Sequence, residues 1–324
     1  MKKLISILTL IICIFCFPAC KQGGENLSVY APDGAPALAL SYAMETVDGV
    51  DFNVVGAEVI KAKVTGESPV ADVAIVPINV ASLYLGSGDV YQALGVVTHG
   101  NFYFLSEGEE TLTRENLSGA IGKTIGVVQL PNIPGLALKV ALSELGISYK
   151  ELINGETADS DKVNLLAIKP TEIGQLSCEY YLAPSPVADG KARDLGLNFF
   201  GSLHSLYEGN SFPQAMLVAK KSVISDNFGK VKSIVNALSY SGEFLKIENK
   251  TKIFSLINGN LENGLTPTYN QNNFTEKAIE RANINFVSSP NCKSKVIEFL
   301  QRVKTVNFSA VNVFEEKFFY TGAF

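Results

Sequence analysis

The sequence predicts an α/β fold of two lobes joined by two crossover segments. Three observations carry this reading. Short β-rich runs alternate with helical stretches, a charged stretch interrupts the series at Glu107-Gly108-Glu109-Glu110, and a Gly209-Asn210 segment precedes a return to the first pattern. One lobe is expected over residues 27–105 and 212–324, the other over 106–211, so that two crossings make a hinge and a cleft. With 324 residues, 47% of them hydrophobic and 18% charged, the chain has enough apolar side chains for such cores. Disorder, a collagen and a disulfide-stapled mini-protein are excluded on composition. A net charge of -5 and only four arginines (Arg114, Arg193, Arg281 and Arg302) argue against a nucleic-acid partner.

In the first lobe, residues 27–31 read as a strand, Pro32-Asp33-Gly34 as a turn and residues 35–45 as a helix. Strands follow at 52–57 and 71–76, with Pro77-Ile78-Asn79 opening a helix to Leu85. Residues 91–98 and 101–105 read as a strand pair broken at His99-Gly100. In the second lobe, strands are expected at 123–128, 163–168 and 179–183. A helix over 135–145 is stopped by Gly146, and Pro170 opens a short helix. Ser185 is read as the N-cap and Pro186 as the first residue of a further helix. Residues 203–211 form the return crossing, 212–219 a strand, and the chain is mostly helical from Ser222. Asn273 to Glu276 has capping-box spacing, and Ser289-Pro290 opens a helix to about Val303.

The N-terminus reads as an address. Lys2 and Lys3 form a basic start, and the apolar stretch 4–17 is shorter than the roughly 20 residues that a membrane span needs. Phe17-Pro18-Ala19-Cys20 resembles the lipobox of bacterial lipoproteins, with Phe17 and Pro18 departing from its usual residues. That resemblance implies a signal peptide over 1–19, a lipid (palmitate-type) anchor on Cys20, a tether over 20–26, and a membrane-held protein facing outside the cytoplasm. An ordinary signal peptide containing a cysteine is the alternative. Cys13 and Cys16 fall in the removed segment; Cys178 and Cys292 are expected to be separate half-buried thiols, with a disulfide between them in an exported protein as the alternative.

Motifs for chemistry are incomplete. Gly122-Lys123-Thr124 suggests a Walker A, but position 117, where the motif needs glycine, is Leu117. Gly66-Glu67-Ser68-Pro69-Val70 lacks the last glycine of a nucleophile elbow. With His99 and His204 as the sole histidines, no metal and no cofactor are expected.

Several segments resemble one family in order and spacing: Val29-Tyr30-Ala31-Pro32-Asp33-Gly34-Ala35-Pro36-Ala37-Leu38, Gly122-Lys123-Thr124-Ile125-Gly126, Tyr181-Leu182-Ala183-Pro184-Ser185-Pro186-Val187-Ala188 and Phe212-Pro213-Gln214. Together with the leader they resemble a substrate-binding lipoprotein of an ABC importer, of the nitrate/sulfonate/taurine and thiamine-precursor class. The resemblance implies a type II periplasmic-binding fold, a small-molecule ligand, a monomer, and a permease and ATPase as partners. An exported enzyme on the same fold, acting on a small heterocycle, is the alternative.

In open α/β sheets, ligands sit beyond the carboxyl ends of strands, where helix N-termini offer free N–H groups. Asp33, Gly34, Ala35, Asn79, His99, Asn101, Gln129, Asn132, Ser185 and Gln214 occupy such places and are the candidate ligand-binding residues. Asp33 either caps its helix or pairs with a cationic ligand. His99 either meets the ligand or satisfies broken backbone. Tyr30, Tyr84, Tyr103, Tyr180 and Phe212 are candidates for stacking a flat heterocycle.

Overall fold

The β-branched runs pair into two mixed six-stranded sheets. The computed structural model describes residues 26–108, 111–153 and 155–324, so the leader, Cys20 with its expected lipid and nearly all of the tether lie outside the described residues. The first sheet begins with β1 (Leu27–Pro32), β2 (Val50–Val55), β3 (Val73–Pro77) and β4 (Tyr91–Thr98), connected through α1 (Ala35–Thr46), α2 (Ile60–Val64) and α3 (Ile78–Tyr84). The second sheet holds β5 (Phe102–Ser106), β6 (Thr124–Val128), β7 (Tyr149–Leu152), β8 (Val163–Ile168), β9 (Tyr180–Pro184) and β10 (Asn198–Ser202), with helices α4 (Ile133–Glu144) and α5 (Val187–Leu195). The chain then returns to the first sheet through β11 (Ala215–Lys220). It continues through α6 (Lys221–Asp226), α7 (Phe228–Ser239), α8 (Ser241–Phe244), α9 (Lys250–Gly259) and α10 (Glu276–Arg281) to β12 (Ile284–Ser288) and α11 (Ser289–Val306).

Strand order is β12-β4-β11-β3-β1-β2 in the first sheet and β10-β5-β9-β6-β8-β7 in the second. In the first, β1 runs parallel to β2 and β3, while β11 runs antiparallel to β3 and β4. In the second, β6 runs parallel to β8 and β9, and β5 antiparallel to β9 and β10. The central strands read as unbroken apolar runs because both faces are covered. Val73 and Ile75 point into one core of the first lobe, and Ala74 and Val76 into the other. The Ala- and Leu-rich α1 is buried on most sides between the sheet, α7 and α9, so its composition is apolar all round.

The structure moves several sequence expectations. Phe102–Ser106 pairs with β9 and β10 in the second sheet, so the first crossing runs through His99, Gly100 and Asn101, and not at Ser106. β4 and β5 are therefore not a pair. Three strands, β7, β10 and β12, escape the sequence reading because they are short and none is deeply buried along its whole length. The strand expected from Phe212 starts at Ala215, since Pro213 has no N–H for a ladder. The N-cap of α10 is Thr275, whose Oγ1 accepts from the Ala278 N–H, and not Asn273. α5 starts at Val187 with Pro186 before it, so Ser185 is not its cap. α11 opens with Pro290 in its first turn, as expected, and runs about one turn past Val303. Cys178 and Cys292 are both free, and burial pushes each thiol up to about 11, which makes them poor nucleophiles.

At the return crossing, Phe212 stacks on Phe299 of α11 at 5.5 Å and meets Tyr207 at 4.9 Å. The Tyr207 hydroxyl donates to the Ala137 carbonyl of α4, so this aromatic group ties the crossing to both lobes. Phe212 is buried. Phe212→Ala should cost about 3–5 kcal/mol of unfolding free energy in urea melts. A loss below about 1 kcal/mol would show that the crossing is not anchored there.

Candidate functional site

Topology brings the candidates to one seam. The carboxyl ends of β1, β3 and β4 and the amino end of β11 lie at one edge of the first sheet, since Ala215 pairs with both Pro77 and Thr98. In the second sheet the carboxyl ends of β6 and β9 and the amino end of β5 lie together, with Phe102 opposite Pro184. The two edges are joined by the crossing through Asn101, so they face each other.

Asn101 is the node. Its backbone N–H donates to Gln214 Oε1 (3.0 Å), its carbonyl accepts from the Ser185 N–H (2.9 Å), and its Nδ2 donates to the Ser185 carbonyl (3.3 Å). Gln214 in turn accepts from the Ile78 N–H at its backbone carbonyl. That places the first turn of α3, and with it Asn79, beside the same node. From there Asn79 reaches across the seam: its Nδ2 donates to Asn132 Oδ1 at 3.4 Å. Asn132 stands immediately before α4, in the turn that Gln129 opens with a positive φ of 61°. That turn demands glycine at 135, because a Cβ there would lie 1.9 Å from the Leu130 carbonyl oxygen.

Ser185 sits after β9 at a cis peptide bond to Pro186, and its hydroxyl donates to Asp189 Oδ2 (2.6 Å). Gly34 takes a positive φ of 97° and precedes α1, whose first residue, Ala35, is buried. Asp33 neither caps α1 nor stands free. Its Oδ1 accepts from the Gly34 N–H, and its Oδ2 accepts from the N–H and hydroxyl of Thr268, each at 2.6 Å. It pins the loop before α10 against the strand end.

His99 parts from the group. Its Nε2 lies 2.7 Å from the Asn285 carbonyl, and its ring lines a cavity of about 880 Å³ on the hinge side, with Phe212, Lys295 and Arg302. None of the other nine candidates lines that cavity. The five candidate aromatics do not gather either. Tyr84 is exposed beside Lys61, Tyr180 is buried against Phe200 at the far end of β9, Phe212 belongs to the hinge, and Tyr30 borders a separate groove with Lys63. Tyr103 lies under Arg281.

The seam has features no local motif announces. Tyr269, in the loop that Asp33 pins, is buried with its hydroxyl in the field of Asp189 and Asp33; burial drives that hydroxyl's pKa far up. Arg281 Nη1 meets Asp189 Oδ1 at 2.6 Å across the lobes, with its guanidinium 3.5 Å from the Phe199 ring centroid. Arg302 grips Glu144 with two hydrogen bonds of 2.5 and 2.7 Å, and Arg193 donates to the Asn272 carbonyl. Three of the four arginines thus bridge lobes.

Three buried polar atoms near these strand ends have no partner: Asn79 Oδ1, Asn101 Oδ1 and Thr98 Oγ1. Native interiors rarely leave such groups unpaired, and each exception calls for a water, an ion, a guest or a catalytic role. Among the described residues no His/Cys/Asp/Glu cluster suits a metal ion, and no helix is long and apolar enough to cross a membrane.

No protein-family model and no curated protein matches the sequence. Solved structures do match. An ABC transporter from Parabacteroides distasonis superposes with a TM-score of 0.68 at 17% identity, over 92% of this chain and 100% of that one. The periplasmic aliphatic sulphonate binding protein SsuA from Escherichia coli gives 0.62 at 11% identity, over 92% and 93%. A mutant of DszB in complex with biphenyl-2-sulfinic acid gives 0.55 at 15% identity, over 89% and 94%. At these identities the likeness defines the fold, and the chain has the two-lobed α/β fold of periplasmic-binding proteins.

Asn79 carries an unpaired buried oxygen and one long hydrogen bond. Asn79→Leu, of similar size, should therefore leave ligand-free stability unchanged or raise it by up to about 1 kcal/mol. It should weaken solute binding by roughly twofold to a hundredfold. A lower melting temperature with unaltered binding would assign Asn79 to structure alone.

Burial holds both His99 and His204 below the ordinary imidazole value of 6.5. The bond to the Asn285 carbonyl opposes the effect on His99, and the nearby Lys295 adds to it. The unfolded chain then binds protons that the folded chain refuses, so stability must fall as pH drops below about 6.5. Asp72, held below 3.8 with the help of Ser28 and Lys220 against its own burial, loses its contribution only in more acid solution. Urea midpoints measured between pH 7 and 5 should decline, and the double variant His99→Gln, His204→Gln should flatten that decline. An unchanged slope in the variant would remove the histidines from the account.

Proposed function

We propose that the chain is the solute-binding component of an ABC importer, and that it holds a small organic or anionic solute between its lobes without transforming it. The observation that carries this reading is the polar seam: Asn79 with Asn132, and Asn101 with Ser185 and Gln214, joined across two facing strand edges with buried amide oxygens left over. Groups so placed take a buried water or a guest molecule as partner, and their gathering on one interlobe seam suits a guest. The ABC transporter and sulphonate-binding neighbours support it, as does the leader with Ala19-Cys20, which fits export and a lipid anchor on Cys20. On this reading the protein is a monomer held at the membrane outside the cytoplasm, with a permease and an ATPase as partners. The ligand belongs to the nitrate/sulfonate/taurine or thiamine-precursor kind, and Asp33, Gly34, Ala35, Asn79, Asn101, Gln129, Asn132, Ser185 and Gln214 bind it.

A second reading, an exported enzyme on a small heterocycle, is favoured by the DszB likeness alone. Against it stand two thiols whose pKa burial raises and a His99 ring turned to the hinge. Equilibrium dialysis of the purified chain against a whole-cell metabolite extract separates the two. Solute capture predicts one equivalent of a compound released unchanged on denaturation. A product of altered mass accumulating with time would support the enzyme and contradict capture. In cells, Cys20→Ala should move the protein from the membrane fraction to the medium or periplasm, or leave it unprocessed. Retention with normal processing would contradict the anchor.

A further inference from the structure

We infer that the cleft selects a solute that presents N–H or O–H donors and is neutral or cationic, and that it rejects oxyanions such as sulfonates and nitrate. This rests on the solute-capture reading and decides between the ligand chemistries it leaves open.

The sign of the site is set by Asn101. Its Nδ2 donates to the Ser185 carbonyl, so the amide cannot be turned over without placing two oxygens face to face. The atom left without a partner is therefore the oxygen, Oδ1, in a side chain only 3% exposed. An acceptor buried in this way is completed by a donor. Asn79, 6% exposed, also has its Oδ1 unpaired, but its partner Asn132 is an amide that can turn with it, so the sign of the site rests on Asn101. The Tyr269 hydroxyl, buried beside the Ser185 side chain, accepts as readily as it donates.

Charge points the same way. The acids that converge on the seam are Asp33 and Asp189, whose fields both reach the Tyr269 hydroxyl. Arg281 is held by Asp189 and stacked on Phe199, so its guanidinium fork is not free for an oxyanion. Arg281 and Asp189 offset each other, and the Asp33 carboxylate, though held by three hydrogen bonds, still repels a negative guest. The helix N-termini offer less to an anion than their number suggests. Pro36 and Pro134 each remove an amide from the first turns of α1 and α4, and Pro186 removes one immediately before α5.

The test divides the extract by charge. A small-molecule extract of bacterial cells is passed over an anion-exchange resin, giving an unretained neutral and cationic fraction and a retained anionic fraction. The full-length chain is dialysed against each, and bound material is identified by mass spectrometry. The inference predicts one equivalent of an N–H- or O–H-bearing compound from the unretained fraction and none from the anionic one. It also predicts that Asn101→Ala, checked for folding by its melting temperature, retains that compound at least about tenfold more weakly. Capture of an anionic solute, of a zwitterion that carries a sulfonate, or equal capture from both fractions would overturn the inference while leaving solute capture intact. Capture from neither would end solute capture itself. Should Asn101→Ala fail to fold, the comparison of fractions with the unaltered chain decides alone.

Discussion

One buried amide group at the first crossing sets the relation between the lobes. Asn101 stands between β4 of one sheet and β5 of the other, and its three hydrogen bonds reach Gln214 on the return crossing and Ser185 after β9. Both passages of the chain between lobes are thereby fixed to the same point. Because β11 enters at that point and runs against β3 and β4, the carboxyl ends of the first sheet are brought opposite those of the second. The polar side chains follow from this. Asn79 and Asn132 meet because α3 starts where Gln214 holds it and α4 starts after the Gln129 turn.

Two of the remaining contacts between the lobes are ionic. Arg281 with Asp189 joins the lobes at the seam and Arg302 with Glu144 joins them at the hinge-side cavity, each with one member on α10 or α11 and the other on α5 or α4. Pairs of this kind are partly exposed, and separating them returns both ions to water, so they close the lobes without sealing them. The hinge side is different. There Phe212, Tyr207 and Phe299 pack as a continuous aromatic group, which resists separation through lost burial. A firm apolar hinge and a polar, reversible seam are the mechanical requirements of a protein that opens and closes on a guest.

Much of this was legible in the sequence. The α/β class and the return to the first lobe followed from alternation of β-branched runs with helices and from the turn residues between them. The strand-end residues Asp33, Asn79, Asn101, Gln129, Asn132, Ser185 and Gln214 followed from position alone, since a strand–loop–helix unit exposes its loop at the carboxyl edge. What stayed hidden was pairing. Phe102–Ser106 has the same local pattern whichever sheet it joins, and the sequence does not distinguish β9 from β4 as its neighbour. Thr268, Tyr269 and Arg281 were invisible for the same reason: they reach the seam from a loop and a short helix more than 200 residues after Asp33 and Gly34, or about 80 or more after Ser185 and Asp189, and no spacing rule spans such separations. His99 illustrates the converse. Its place at a strand end was right, but the side chain turned toward Asn285, because the segment 283–285 also hydrogen-bonds the His99 and Gly100 backbone.

The central claim is that the guest lies at the Asn101 seam. A crystal structure of the chain with its captured solute tests it most directly. The account predicts density between the lobes, with donor atoms of the solute within hydrogen-bonding distance of Asn101 Oδ1 and Asn79 Oδ1. Density in the hinge-side cavity beside His99, Lys295 and Arg302, with the seam unchanged, would contradict it.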